Sequence, residues 1–281
     1  MKKTISVLLG AVCAVIGCSA FYAAPSAAQA EEAYSTEMRY GTEFQGGHYQ
    51  GVETRTVNYA YYTEDYYVNP YSVSNFVSSR INTCAVSAGG NVLTYYDRLY
   101  PELIADYQPQ LFLGVWNYGV HNSGITTMLD ELYARMGTDN DGTTVSGFKS
   151  GMTSYVNNKR RSISIEQVTG GYYNTNLDKI KSELKQAKIA AIFMSNYTVT
   201  DENALYLNAT NSKITYNIFT GNHVMVVYGY DDIFYYNSNG SLVGRDTFFY
   251  VSTGDKNVIE YGMVNISSYT QVTDMYMINI Y

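Results

Sequence analysis

The run Asn82-Thr83-Cys84-Ala85-Val86-Ser87-Ala88-Gly89-Gly90-Asn91-Val92-Leu93 begins as helices begin. Polar residues suited to a turn or cap precede a thiol, and small or apolar residues then recur at 85, 88, 89, 92, 93, 96 and 99. That spacing predicts a helix from Cys84 to about Leu99 with the thiol in its first turn. There the helix dipole and the free backbone N–H groups favour a thiolate. Gly89 and Gly90 weaken an isolated helix, so the stretch also predicts a central helix packed closely against neighbouring backbone.

Downstream of this helix the pattern stays helical for some distance. Pro101 starts a connection, and 110–121 holds the only tryptophan, Trp116, followed by His121. Residues 123–136 read as a helix with Ser123 as N-cap and Leu129, Leu132 and Met136 on one face. Gly137–Gly142 reads as a turn, and Thr143 or Thr144 introduces a further helix to about Asn158. After Arg161 the character changes. Ile163 to Val168 alternates like a strand, a helix spans about 176–187, and Ile189 to Met194 is a buried-strand run. Strands are expected at about 214–219, 223–230, 233–236, 246–252, 258–265 and 273–280. The coarse architecture is a helical lobe (about 76–160) carrying Cys84, then a strand lobe (about 161–281).

Upstream, Lys2 and Lys3 precede an apolar stretch from Ile5 to Ile16, too short to span a bilayer comfortably. With Ala28-Gln29-Ala30 as a small-x-small cleavage site, residues 1–30 read as an export signal. Val15-Ile16-Gly17-Cys18 offers the alternative of lipidation at Cys18. Both readings send the protein out of the cytoplasm, secreted or at the cell surface. Residues 31–75 form a Tyr-rich lead: a pro-segment, a surface strap or a disordered lead, with one or two strands expected to join the fold.

Signal removal takes Cys13, and Cys18 with it when cleavage follows Ala30, leaving Cys84 without an intramolecular disulfide partner. A lone thiol in an exported chain is either buried and inert or kept for chemistry. The net charge of −7 and the lack of any basic run point away from nucleic acid. No second long apolar segment suggests a membrane span after the signal. With 46% apolar residues the chain can bury a core, and its 31 tyrosines suit exposed or half-buried strands.

Much further on stands Gly221-Asn222-His223-Val224-Met225-Val226-Val227-Tyr228-Gly229-Tyr230, a histidine opening a strand-like run. Thiol catalysis needs a thiolate, a base paired with it and donors for an oxyanion. Cys84 and His223 supply the first two, provided the fold brings them together.

On these two segments the chain resembles a papain-fold cysteine peptidase of the bacteriocin-leader-peptidase-like branch found in exported bacterial proteins. The matching features are Asn82-Thr83-Cys84 opening a small-residue helix to Tyr95-Tyr96-Asp97-Arg98, and His223 followed by an apolar strand and Gly229-Tyr230. The resemblance covers roughly residues 75–281 and implies a two-lobe α+β fold, a central Cys-bearing helix packed on an antiparallel β lobe. It implies a peptide or protein substrate, Cys84 as nucleophile and His223 as acid and base, with no metal or organic cofactor.

The chain departs from the family pattern at several places. The family's oxyanion glutamine falls at position 78, which is Ser here; Asn82 or the Cys84 backbone N–H are the substitutes. The residue orienting the base falls near Ser252 or Thr253, and Asp255 is the nearest carboxylate, so Asp255, a backbone carbonyl and no third group all stay open. His121 is a rival base, and His48 lies in the polar lead. Asp139-Asn140-Asp141-Gly142 lacks the register of a calcium loop and reads as a turn, as do Asp231 and Asp232. The widely separated Cys–His pair argues against a transglutaminase-like core. A papain-fold binding or surface module without catalysis is the alternative from a different class.

Overall fold

Helix α1 (Cys84–Asp97) forms where its spacing predicts, ending at Asp97 rather than near Leu99. Every residue from Ala85 to Asp97 is buried, so the helix is enclosed on all sides rather than amphipathic. The two glycines permit this. A Cβ on Gly89 would stand 2.8 Å from Met136 Cε and 3.0 Å from Met152 Sδ, and one on Gly90 would stand 2.6 Å from Leu129 Cδ2. Without those Cβ atoms, α2 (Ser123–Met136) and α3 (Val145–Asn158) settle against α1.

The computed structural model describes residues 34–40, 48–57, 60–67, 73–112, 115–117, 120–169, 176–201, 212–236, 240–255, 259–266 and 270–281. Residues 1–30, read from the sequence as an export signal, lie outside them, and Cys18 with them. Asn122, rather than Ser123, caps α2 by accepting from Ile125 N at 3.1 Å. Thr144 caps α3 by accepting from Gly147 N at 3.0 Å. Between them Asp139 and Gly142 pair across a tight turn, with Asp139 Oδ1 accepting from Asp141 N, in line with the turn reading.

The lead contributes β1 (Tyr34–Tyr40), β2 (His48–Val57) and β3 (Ala60–Tyr67), one strand more than expected. A short hairpin, β4 (Gln110–Phe112) with β5 (Val115–Asn117), stands apart. The remaining elements are β6 (Ile163–Gln167), α4 (Leu177–Leu184), β7 (Ile189–Asp201), β8 (Ser212–Tyr236), β9 (Leu242–Ser252), β10 (Tyr261–Asn265) and β11 (Gln271–Ile280). Among the described residues nine strands form one antiparallel sheet in the order β1-β2-β8-β9-β10-β7-β11-β6, with β3 also on β8 and β7 paired to β8. The fold is therefore a mixed α+β arrangement of helices and antiparallel sheet.

Strand β8 corrects the sequence reading, which broke it at Gly221 and at Asp231-Asp232. It is one continuous strand paired with β2, β3, β7 and β9. Register shifts near Gly229 absorb the irregularity. Asp231 and Asp232 are buried mid-strand and not in a turn. Asp232 is held by Lys181 of α4, by Arg245 Nη2 at 2.7 Å and by Thr247 Oγ1 at 2.8 Å. A buried carboxylate persists only with such partners.

The sheet is covered on both faces, and its side chains alternate between them. Ile189, Ala191 and Phe193 join the cluster under α1, α2 and α3, whereas Ala190, Ile192 and Met194 join the one under α4. Tyrosines populate this interior more than composition implies: Tyr95, Tyr155, Tyr216, Tyr228, Tyr230 and Tyr250 are among the largest fully buried side chains. Several satisfy their hydroxyls on backbone carbonyls, as Tyr96 does on Ile278 O at 2.6 Å and Tyr155 on Leu103 O at 2.7 Å.

Asp97 closes α1 by accepting from Ile104 N at 2.9 Å. Burial pushes its carboxyl up to about 7, against the opposing Ile104 hydrogen bond and with a smaller push from Glu102. The native state therefore holds this proton more tightly than the unfolded chain, whose carboxyl titrates near about 3.9. This group's contribution to stability is full below about pH 4 and is lost as pH rises to about 7. Asp97→Asn keeps the acceptor and removes the titration, so its melting temperature is expected to vary less over that window in a pH series of thermal melts. An identical slope in the variant would assign the dependence to other groups.

Candidate active site

The base sits at a gap in the sheet. On one side of β8, β2 pairs up to Thr220 and β9 starts pairing at Val226. Among the described residues no strand covers 221–225 on that side, and the N-terminus of α1 comes up to this gap. The Val224 N–H donates to the Cys84 sulfur, as does the N–H of Ala85. Cys84 packs on the cluster beneath the helices. The His223 ring instead stacks on Tyr197 of the opposite cluster, with centroids 5.1 Å apart and planes 17° apart. The pair thus meets across the rim of the sheet, as the separated segments require.

Cys84 and His223 are joined by a side-chain hydrogen bond. The other side of the imidazole is fixed as well: Nε2 lies 2.8 Å from the Thr253 carbonyl oxygen. A carbonyl only accepts, so Nε2 carries the proton. Nδ1 is then the nitrogen left for the thiol. Burial pushes the Cys84 thiol up, but the hydrogen bond and charge of His223 outweigh it and the thiol ends below its ordinary value. Burial likewise pushes His223 down, and the hydrogen bond and charge of Cys84, with the Thr253 carbonyl, carry it above its ordinary value. Both shifts favour a thiolate–imidazolium pair.

A family model described as the Peptidase_C39 like family matches residues 58–257. The chain belongs to that family. Membership makes it a papain-like cysteine peptidase by family. No curated protein and no solved structure matches it. The matched segment contains α1 with Cys84, the gap in β8 with His223, and the turn at Thr253. It leaves out β1 and β2, and it stops short of β10 and β11, which complete the sheet.

Other residues singled out in the sequence fall around the pair. Asp255 adds a smaller electrostatic push to the rise of His223, while the hydrogen bond on Nε2 ends at the Thr253 carbonyl. That outcome matches the backbone-carbonyl option. Asn82 is exposed, at φ 54, and its side-chain amide donates to Asn140 O at 2.5 Å. It braces the start of α1 against the Asp139–Gly142 turn, which differs from the expected oxyanion contact. No side chain caps α1, because Thr83 Oγ1 donates back to Arg80 O at 3.0 Å. Apart from the Ala85 N–H on the Cys84 sulfur, the first-turn N–H groups of the helix are thereby left without a side-chain acceptor. Ser78, at the expected glutamine position, is tied through its N–H to Ser87 Oγ at 3.1 Å. His121 is exposed and packs edge-on against Phe76 at 5.7 Å. His48 opens β2 opposite Thr220.

Two contributors escaped the sequence reading. Tyr197 stacks on both Phe219 and His223; it lies in β7, beyond the Ile189–Met194 run, and nothing local marks it. The Thr253 carbonyl is a main-chain group, and only its alignment with the strand end pointed there. Its turn is well held: Thr253 N donates to Glu260 O at 3.0 Å, and Gly254 stands at φ +67, a left-handed conformation that favours glycine.

Proposed function

We propose that this protein is an exported bacterial cysteine peptidase of the bacteriocin-leader-peptidase-like branch, acting on peptide or protein substrates. The observation that carries the reading is the Cys84–His223 hydrogen bond, with His223 Nε2 held on the Thr253 carbonyl. In this reading the Cys84 sulfur attacks the scissile carbonyl carbon. The C=O electron pair moves to oxygen, which the Cys84 N–H at the uncapped helix start receives. His223 gives its proton to the leaving amine as the C–N bond breaks. Water then attacks the thioester, passing a proton to His223, and the acid leaves as the S–C bond breaks. The helical part and the strand part act as the two lobes of a papain-like enzyme, with the pair at their junction.

The export signal at 1–30 supports a secreted or cell-surface location, with lipidation at Cys18 as the other form of export. A papain-fold module without catalysis is the second reading, but an inert thiol has no need of an oriented imidazole. The test incubates the protein with a diverse synthetic peptide mixture and maps new termini by mass spectrometry. Defined cleavage products that disappear after iodoacetamide treatment are expected. A mixture left intact while Cys84 is rapidly alkylated would favour the binding module.

A further inference from the structure

The segment just ahead of α1, residues 73–78, has no helix or strand of its own, yet its polar groups are engaged in two directions. Toward α1, Asn91 Oδ1 accepts from Phe76 N at 2.7 Å and from Ser74 Oγ at 2.9 Å, and Asn91 Nδ2 donates to Phe76 O at 3.2 Å. Asn91 is completely buried in the helix that begins with Cys84. In the other direction stands Asn75, 8% exposed. Its Oδ1 accepts from Gly254 N at 2.7 Å and from Ser252 Oγ at 3.0 Å, and its Nδ2 donates to Asp255 O at 3.3 Å. Ser252 Oγ also lies 2.7 Å from Ser74 O, so the two acceptors share its single proton. One amide therefore contacts the residues on both sides of Thr253, the residue whose carbonyl receives His223 Nε2–H.

We propose that Asn75 is a positioning residue for the Cys84–His223 pair: by clamping the 252–255 turn to the strap that Asn91 anchors on α1, it fixes the Thr253 carbonyl relative to the thiol. The inference rests on the cysteine–histidine chemistry proposed above. Its logic is geometric. The nucleophile's helix and the turn orienting the base belong to distant parts of the chain, and the strap is hydrogen-bonded to both. Without the amide the turn keeps its own bonds and the Ser252 Oγ bond to Ser74 O, but Gly254 and Asp255, the residues beyond Thr253, lose their bonds to the strap. The imidazolium then has a less constant acceptor, and the thiolate loses part of its partner.

The readout is the thiol rather than peptide cleavage, so failure of the peptidase reading and failure of this one are distinguishable. A chain with a low-pH thiolate but no cleavage would sink the former and leave the latter standing. Alkylation of Cys84 by iodoacetamide is followed against pH in the full chain and in Asn75→Ala. The midpoint in the variant is expected to move up by about one unit, a roughly tenfold slower reaction at pH 6. The chain has 3 histidines, so the His223 Nε2–H resonance is resolvable in nitrogen-labelled protein, and it is expected to shift or broaden. Asn75→Asp, which keeps the acceptor for Gly254 N and Ser252 Oγ, covers the case in which the alanine variant does not fold. It is expected to show the smaller shift. A midpoint and an Nε2–H resonance identical to the unchanged chain, with only the melting temperature lowered, would reduce Asn75 to a stabilising contact and overturn the proposal.

Discussion

Cys84→Ala is expected to abolish peptide cleavage, a fall on the order of a million-fold of the kind seen when a covalent nucleophile is removed. Alkylation by iodoacetamide at this position should vanish with it, Cys84 being the free cysteine among the described residues. Folding should survive. Cys84 is half-buried at the first position of α1, and the helix is held by the residues after it, all buried from Ala85 to Asp97. Circular dichroism and a cooperative melt close to that of the unchanged chain are the controls. Residual cleavage of the same bonds at the same rate would remove Cys84 from the chemistry altogether.

His223→Gln is the second large effect, and it separates the two halves of the pair. The unchanged thiol lies below its ordinary value because the hydrogen bond and charge of His223 overcome burial. Remove the imidazolium, and burial, which acts upward, is opposed only by the Val224 and Ala85 N–H groups, the smaller of the lowering influences. The thiol should then titrate at or above about 8.5, and alkylation at pH 6 should fall on the order of a hundredfold. In the unchanged chain the reactive form exists between the lowered thiol and the raised imidazole, so cleavage should follow a bell against pH. The variant should show a single rising limb for alkylation and no cleavage. A variant with the unchanged acid limb would mean that another group sustains the thiolate.

The two segments that proved informative carry their message in local pattern. A thiol at the start of a small-residue helix and a histidine at the head of an apolar run are both readable one residue after another. Gly89 and Gly90 are similarly legible, since glycine mid-helix has few purposes besides close approach. What escaped was non-local or main-chain. Asp231 and Asp232 looked like a turn because two adjacent carboxylates rarely sit in a strand. Lys181, the partner of Asp232, arrives from α4, and nothing near the pair in sequence announces it. The acceptor for His223 is a carbonyl, which every residue possesses, so no side chain could advertise it. Asn75 and Asn91 are ordinary polar residues until the strap between them is seen in place. The tyrosines misled for a related reason: a phenol can be buried when a backbone carbonyl waits for it, as Leu103 O and Ile278 O do.

Strand β8 is the partner of β2 and β3 from the lead as well as of β7 and β9, and this has a consequence for how the molecule comes into being. The lead is synthesised first, yet two of its strands wait for a partner made roughly 155 to 175 residues later. Such pairing closes large loops and is entropically slow. Helix α1 can gather α2 and α3 early through near-neighbour contacts, whereas the gap that receives its N-terminus does not exist until β8 is in place. The thiol is thus expected among the first structured features of the chain and its partner among the last. Until then the unpaired edges of β2 and β3 stand open to other chains, so the yield of folded protein should depend more on chain concentration during refolding than on the stability of the finished sheet.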